Sequence, residues 1–242
     1  MKLEVCVADP QSLAAAVAGG AERIELCSAL ELGGLTPLPG MMALARQSGI
    51  ETYALIRPRS GDFVFDAHDF DAMLRDIDAV RAAGLHGVVI GANHADGRLD
   101  ERMLARLVEH SAGLATTLHR AIDLVPDFAE ATEVAVALGF DRILTSGGAP
   151  TVLEGLGQLA LVHATARGRV KVMAGSGLRP DNVLDLLAAV PVDEVHSSCT
   201  GMPLPSAEGA VRLGFAAKTK RHTDAAVVRK FREMLAGWSG HA

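Results

Sequence analysis

The chain has 242 residues, of which 49% are hydrophobic and only 4% aromatic, so its core must be largely aliphatic. A formal net charge of −6 argues against a nucleic-acid-binding surface, and no stretch approaches the roughly 18 uninterrupted apolar residues that a membrane span needs. The N-terminus does not resemble a signal peptide, so Cys6, Cys27 and Cys199 are expected to be reduced thiols of a cytoplasmic protein.

Short apolar runs alternate with longer helical patterns along the whole sequence. The runs predict eight strands: Leu3–Val7, Arg23–Cys27, Thr52–Arg57, Gly87–Ile90, Ala115–His119, Arg142–Thr145, Val170–Ala174 and Glu194–Ser198. The stretches between them carry apolar residues three and four apart, which is typical of amphipathic helices. Pro10, Pro37 and Pro180 each indicate the first turn of such a helix.

Eight strand–helix units predict a single-domain (β/α)8 barrel, the TIM-barrel fold, over residues 1–242. A doubly wound open sheet is the main alternative. Such a sheet usually has a glycine-rich turn after its first strand, and VCVADPQS contains no glycine. The apolar stripe of Ala225–Trp238 predicts a closing helix at about residues 223–238.

The alternation within the first two strands predicts which side chains enter the barrel, because successive strand residues face opposite sides. The apolar positions should face the helices, which leaves Glu4 and Cys6 of the first strand pointing inward. In the second strand Glu25 and Cys27 point inward for the same reason. A barrel interior is normally filled by branched aliphatic side chains, so these two carboxyl groups and two thiols indicate an unusually polar interior.

Three further polar residues, Arg57, His119 and His196, lie at the carboxyl ends of predicted strands. Active sites of (β/α)8 barrels are built at that end. The structural alternative is a buried ion network of Glu4, Glu25 and Arg57, because unpaired buried charge is costly and buried pairs often serve no chemistry. The sequence leaves both interpretations open.

Glycine-rich loops follow the last three strands, in TSGGA, AGSGL and HSSCTG. Backbone N–H groups of such loops can approach an anion closely, and the loops after strands seven and eight are a recurrent phosphate site in barrels. Glycine could instead be present only because the turns are tight. The residues predicted to bind an anion are Arg59, Ser146, Gly147, Gly175, Ser176, Gly177, His196 and Ser197.

Two short motifs place charged side chains at the rim of the barrel. In IRPRSGDF, the guanidinium of Arg59 could hold a phosphate or carboxylate through its planar fork, or it could simply pair with Asp62. In LHRAID, His119, Arg120 and Asp123 lie within one turn. A histidine oriented by a carboxylate is a candidate acid/base group.

Six segments together resemble the CutC family of copper homeostasis proteins, in order from Met1 to about Thr200. They are LEVCV, GGAERIELCSALELGGLTP, IRPRSGDF, LHRAIDL, FDRILTSGGAPTVLEGL and HSSC. The resemblance implies a TIM barrel of the bacterial cytoplasm that handles copper and binds Cu(I) through the thiols of Cys6 and Cys27. Thiols on neighbouring strands would lie roughly 5 Å apart, which suits linear coordination of Cu(I), although a buried cysteine is also a common core residue.

An enzyme is the alternative function. Glu25 and His119 would exchange protons, Arg57 and Arg120 would clamp an anion, and Asp123 would complete the catalytic set. An isomerase, aldolase or lyase acting on a small phosphorylated or carboxylated metabolite fits these residues. No lysine ends a strand, which disfavours a Schiff-base aldolase.

The expected partners are therefore a copper ion or a small anionic metabolite, with no nucleic acid and no membrane. A homodimer or higher homo-oligomer is a further expectation. A third, weaker interpretation is a non-catalytic interaction protein that uses the basic run KTKRH, residues 218–222, although such a run is more often a solvated loop.

Overall fold

The computed structural model describes residues 1–238, in which eight parallel strands close into a barrel in chain order. The strands are β1 (Lys2–Val7), β2 (Arg23–Leu26), β3 (Glu51–Leu55), β4 (Gly87–Ile90), β5 (Ala115–Leu118), β6 (Arg142–Thr145), β7 (Lys171–Ala174) and β8 (Glu194–Ser197). The predicted (β/α)8 fold is confirmed, and every predicted strand is present. The part of the prediction that concerns residues 239–242 lies outside the described residues.

Helices connect the strands and surround the barrel. They are α1 (Pro10–Gly19), α2 (Pro39–Gln47), α3 (Ala67–Ala82), α4 (Glu101–His110), α5 (Phe128–Ala137), α6 (Leu156–Ala166), α7 (Val183–Ala189), α8 (Glu208–Arg212) and α9 (Ala225–Ala236). A two-stranded antiparallel ribbon, β9 (Leu204–Pro205) and β10 (Thr219–Lys220), precedes α9. No helix within residues 1–238 has both the length and the apolar character of a membrane span.

The prolines mark the helix starts only in part. Pro10 begins α1, as predicted. Pro37 and Pro180 do not begin helices: Pro39 takes the first position of α2, and the residues after Pro180 form a turn before α7 begins at Val183. The predicted closing helix is confirmed as α9, which packs against α1.

The two faces of the strands differ as the alternation predicts. The outward apolar residues of β1 and β2 belong to the core between the barrel and its helices: Leu3, Val5, Val7, Ile24 and Leu26. Cys27 instead lies in a separate cluster with Tyr53, Leu55 and Val89. Inward-facing Glu4 and Glu25 are both buried, at 0% and 6% exposure.

A layer of paired charges lies toward the amino-terminal ends of the strands. Arg23, which is fully buried, forms ion pairs with both Glu4 and Glu194. Arg142 donates to the same Glu194 carboxylate at 3.2 Å. The ring of Tyr53 lies 5.0 and 4.8 Å from the guanidinium carbons of the two arginines. These contacts pair the buried charges with one another and make this layer a structural element.

This layer corrects one expectation. Glu4, Glu25 and Arg57 do not form an ion network, because Glu4 takes Arg23 as its partner and Arg57 makes its hydrogen bonds elsewhere. The alternation that places Glu25 and Cys27 inward also places Arg23 on the inward face of the second strand. Applied to β8, the same rule places Glu194 on one face with His196, so this signal could have identified Glu194 as well.

Candidate functional site

The register between β1 and β2 decides what faces Cys6. Cys6 is paired with Glu25, whereas Cys27 lies one inward position further along β2, where its N–H donates to the carbonyl of Val7 at 2.9 Å. Alternate residues of a strand are separated by roughly 6.5 Å. The register therefore sets Cys27 one inward position beyond Glu25, the residue opposite Cys6, and Cu(I) binding by the two thiols stays a prediction.

Cys6 instead lies in a group with Glu25 and His196. One ligand-type atom from each, the thiol sulfur, a carboxylate oxygen and an imidazole nitrogen, lies within 4.8 Å of the other two. His196 Nδ1 is 2.8 Å from a carboxylate oxygen of Glu4, and its Nε2 is 3.7 Å from one of Glu25. Burial alone lowers the pKa of His196, but Cys6 and the two carboxylates outweigh it and hold the pKa well above its usual range.

The two inward carboxyl groups titrate in different ranges. Burial raises the pKa of both, because it disfavours the charged form. At Glu4 the charges of Arg23 and His196 overcome burial and lower the pKa to about 2. At Glu25 burial prevails over His196, and the neighbouring charge of Glu4 adds to it, so the pKa is raised to about 6. Glu25 thus gains and loses its proton near neutral pH, whereas Glu4 stays ionised.

The thiol of Cys27 is a proton donor rather than an anion. Burial raises its pKa well above the ordinary value, and the charge of Glu25 raises it further. Cys199 lies in a different cavity, and burial raises its pKa to about 12. A protonated thiol is a poor metal ligand, because the thiolate is the coordinating form. A metal ion that binds Cys27 would therefore have to displace this proton.

His119 is a buried, neutral imidazole. Burial and the nearby charge of Arg57 lower its pKa to about 3. Its Nδ1 accepts the N–H of Ala121 at 3.1 Å, so the neutral ring carries its proton on Nε2. That Nε2 has no hydrogen-bond partner among residues 1–238. The ring is placed by Phe63, 4.7 Å away between centroids, and by Gly91, where any side chain would collide with it.

Asp123 does not orient His119, contrary to the expectation from the LHRAID motif. Its carboxylate accepts hydrogen bonds from Arg120 Nε at 2.7 Å and from the Thr145 hydroxyl at 2.5 Å. The short helical turn over Arg120–Leu124 directs Asp123 toward the loop after β6 and away from the imidazole. Asp123 is therefore a positioning residue for that loop.

The loop after β6 uses its backbone donors within the protein. The N–H groups of Ser146 and Gly148 donate to Asp123, each at 3.1 Å to Oδ1, and the Gly147 N–H donates to the Thr145 hydroxyl at 2.9 Å. These three N–H groups already have acceptors, and anion binding at Ser146 and Gly147 stays a prediction.

The two arginines after β3 make most of their contacts within the protein, although Arg57 Nε has no hydrogen-bond partner among residues 1–238. Anion binding by Arg57 and Arg59 stays a prediction. Arg57 donates to three backbone carbonyl oxygens, those of Leu32, Gly34 and Gly61, at 2.9, 2.9 and 2.7 Å. It thereby ties together the loops that follow β2 and β3. Arg59 pairs with Asp69 at 2.9 Å and with Asp62 at 3.2 Å, which is the alternative that the sequence left open.

Two cavities open at the carboxyl ends of the strands. The inner cavity, of about 180 Å³, is lined by Cys6, Glu25, Cys27, Leu30, Gly33, Leu55, Arg57, Phe63, His119, Arg120, Leu144 and His196. The outer cavity, of about 660 Å³, lies between the loops after β7 and β8 and helix α9. Cys6, Arg120 and His196 line both, so the two cavities adjoin. The structure thus brings the predicted acid/base and thiol residues together in one place.

Of the residues predicted to bind an anion, Ser176, Gly177, His196 and Ser197 line the outer cavity. Gly175 does not. Its N–H donates to the Thr145 carbonyl at 3.1 Å, and a side chain there would collide with Leu144.

The protein is a (β/α)8 barrel with a polar pocket at the carboxyl ends of its strands, which is where barrels of this fold bind small molecules. The CutC family model matches residues 1–201, and the chain belongs to the CutC family. A CutC family protein of Sinorhizobium medicae is 57% identical over 233 residues, which cover 96% of this chain and 95% of that protein.

Solved structures give a consistent picture. A CutC protein of Streptococcus agalactiae, whose name refers to copper homeostasis, is 27% identical with a TM-score of 0.78. The match covers 82% of this chain and 98% of that one. A thiamine phosphate pyrophosphorylase of Pyrococcus furiosus, at 17% identity and a TM-score of 0.59 over 97% of this chain and 95% of that chain, shares the fold alone.

Proposed function

We propose that the inner cavity is an acid/base site that acts on a small anionic metabolite. One observation carries the proposal: Glu25 and His119 line the same cavity, and the Nε2–H of His119 has no hydrogen-bond partner among residues 1–238. A buried polar atom without a partner is costly. A bound substrate oxygen would supply the missing acceptor.

The two groups suit complementary roles. Glu25, with a pKa of about 6, is ionised at neutral pH and can accept a proton from a carbon next to a carbonyl group. His119 is neutral, and its Nε2–H can donate to the carbonyl oxygen as negative charge develops there. This pairing supports an isomerase or a lyase that proceeds through an enolate.

Exchange of substrate hydrogen with solvent tests this function. The reduced protein would be incubated in D2O with a panel of small aldehydes, ketones and keto acids, with and without phosphate groups, and C–H signals followed by proton NMR. We expect exchange with at least one compound, reduced at least 100-fold in Glu25→Gln. Arg59→Met, which alters a surface ion pair, is the matched control. Absence of exchange with every compound would contradict the proposal.

Copper binding is a second candidate, because it is favoured by the Cys6, Glu25 and His196 group and by the name of the Streptococcus agalactiae relative. In this version Cu(I) is cargo held by the soft sulfur of Cys6 and a nitrogen of His196. Cys27, which the resemblance pairs with Cys6, lines the same cavity and would join after loss of its proton.

Competition with a Cu(I) chelator tests this candidate. The reduced protein should lose at least tenfold in affinity on Cys6→Ser, and less on Cys27→Ser. Cys199→Ser, which removes a buried thiol of the outer cavity, is the control and should bind like the unchanged protein. An affinity that is the same in the Cys6→Ser, Cys27→Ser double variant would exclude copper binding by these thiols.

The three cysteines are free thiols, which supports a reducing compartment, and we propose the cytoplasm as its location. Self-association into a homodimer or higher homo-oligomer also remains a proposal. Light scattering coupled to size-exclusion chromatography would measure the mass in solution, and a mass of one chain at micromolar concentration would contradict it.

A further inference from the structure

The outer cavity has a strongly basic lining. Arg120, Arg179, Arg221 and Lys230 contribute cationic side chains, and among residues 1–238 Asp181 is the one carboxylate that lines it. Asp181 pairs with Arg179 at 3.2 Å, so two of these charges compensate each other. Excess positive charge in a concave site attracts anions and raises their local concentration.

Two of the cations have no counter-charge within the described residues. Arg221 and Lys230 are exposed, and neither forms an ion pair or a side-chain hydrogen bond with any of residues 1–238. Arg120 is different, because its Nε is held by Asp123 at 2.7 Å while its side chain remains 41% exposed. The cavity therefore offers cationic groups whose charge the protein itself leaves uncompensated.

The loop after β7 also lines the outer cavity and has backbone N–H groups without acceptors among the described residues. Ser176 has a φ of +81°, although it is not glycine, and Gly177 follows with a φ of +74°. A non-glycine residue in the left-handed region is strained, and such strain concentrates at functional sites. Neither residue's backbone N–H has an acceptor within the described part of the chain. The Ser176 hydroxyl donates to the Pro150 carbonyl at 2.7 Å, which fixes the loop.

We propose that the outer cavity binds the phosphate group of a phosphate monoester, the substrate class on which the acid/base site acts. This inference rests on the proposed function for the reacting end of the molecule. Arg221 and Lys230 hold the dianion from one side, and the N–H groups of Ser176 and Gly177 hold it from the other. Arg120 and His196 line both cavities, so they lie where the phosphate end meets the reacting end.

Helix α9 and the segment before it supply one side of the proposed phosphate site. They lie outside residues 1–201, the part that the CutC family model matches. Both Arg221 and Lys230 come from this carboxyl-terminal segment. The inference therefore assigns a binding role to the segment that follows the last barrel strand, and not only to the loops of the barrel.

Calorimetric titration of the full chain with three matched compounds tests the inference: glycerol 3-phosphate, glycerate and glycerol. We expect glycerol 3-phosphate to bind at least tenfold more tightly than glycerate, and glycerol to give no binding heat. The Arg221→Met, Lys230→Met double variant should lose at least tenfold in affinity for glycerol 3-phosphate. The Arg212→Met, Arg229→Met double variant removes the same charge from outside the cavity and should stay within twofold.

Three results would overturn the inference: no binding of glycerol 3-phosphate, equal binding of glycerate, or an equal loss in both double variants. Glu25→Gln separates this inference from the proposed function, because it should keep phosphate binding within twofold and lose deuterium exchange. Phosphate binding that depends on Arg221 and Lys230, without exchange of any compound, would support the phosphate site and contradict the acid/base function. Exchange without phosphate binding would support the acid/base function and contradict the phosphate site.

Discussion

Two regions of the barrel contain the same residue types but pair their charges differently. They are the lower layer, which is the layer of paired charges toward the amino-terminal ends of the strands, and the mouth at the carboxyl ends. In the lower layer, Glu4 and Glu194 each contact an arginine, and Arg23 bridges them. At the mouth, Glu25 is almost as deeply buried as Glu4, but its nearest cation is His196 at 3.7 Å. Burial is therefore similar, and the partner decides the protonation state. Buried charge that is fully paired holds the barrel together, whereas buried charge that is poorly paired is available for proton transfer.

Removing Arg23 should give the largest effect and would break the lower layer. Arg23→Met leaves Glu4 and Glu194 buried without their main counter-charge, and the free energy of unfolding should fall by about 3–5 kcal/mol. Arg75→Met, which removes an exposed arginine paired with Asp71, is the control and should leave the denaturation midpoint unchanged. Urea denaturation measures both. A loss no larger than in the control would mean that the layer is not structural.

Neutralising each glutamate in turn should have opposite consequences for stability. The pKa of Glu4 is lowered to about 2, so its contribution is present above its unfolded value of 4.5 and is lost as the pH falls through 2. The pKa of Glu25 is raised to about 6, so its contribution is present below 4.5 and is lost as the pH rises through 6.

At pH 7.5, Glu4→Gln should therefore cost about 3 kcal/mol, whereas Glu25→Gln should stabilise the protein by about 1–2 kcal/mol. The free energy of unfolding measured from pH 4 to 8 checks both signs, and the two variants serve as controls for each other. Destabilisation by both variants to the same extent at pH 7.5 would contradict the claim that Glu4 and Glu25 affect stability in opposite directions.

Filling the space beside His119 should destabilise the protein less than removing Arg23 does, and it should have a specific effect on the site. Gly91→Ala places a methyl group against the imidazole ring, which must move, at a cost of about 1–3 kcal/mol. Gly157→Ala in α6 meets no atom within 4 Å and should be neutral or slightly stabilising. The imidazole resonances of His119 should shift only in the first variant. Unchanged resonances would show that Gly91 does not place the ring.

Much of the barrel was predictable because strand alternation and loop glycines are local features of the sequence. The inward direction of Glu4, Cys6, Glu25 and Cys27 follows from alternation alone, and the structure confirms it. What alternation cannot give is the stagger between neighbouring strands. The register pairs Cys6 with Glu25 and sets Cys27 one inward position further along the chain.

The other differences between the predicted and the observed contacts have one physical cause. The folded loops determine which hydrogen-bond partners lie within reach of a side chain. Both terminal nitrogens of Arg57 donate to backbone carbonyls, and Asp123 accepts from the backbone N–H groups of the loop after β6. Loop conformation is not contained in residue spacing. Arg221 and Lys230 were not predicted as site residues because only the return of α9 to the barrel brings them to the outer cavity.

Direct measurement of the two carboxyl pKa values tests the central claim, that partners and not burial separate the structural layer from the reactive mouth. Carbon-13 NMR of the glutamate carboxyl groups, assigned with Glu4→Gln and Glu25→Gln, would follow each group from pH 2.5 to 8. The account predicts that Glu25 titrates near 6 while Glu4 remains ionised to the lowest pH at which the protein stays folded. Titration of both groups together near 4.5 would contradict it.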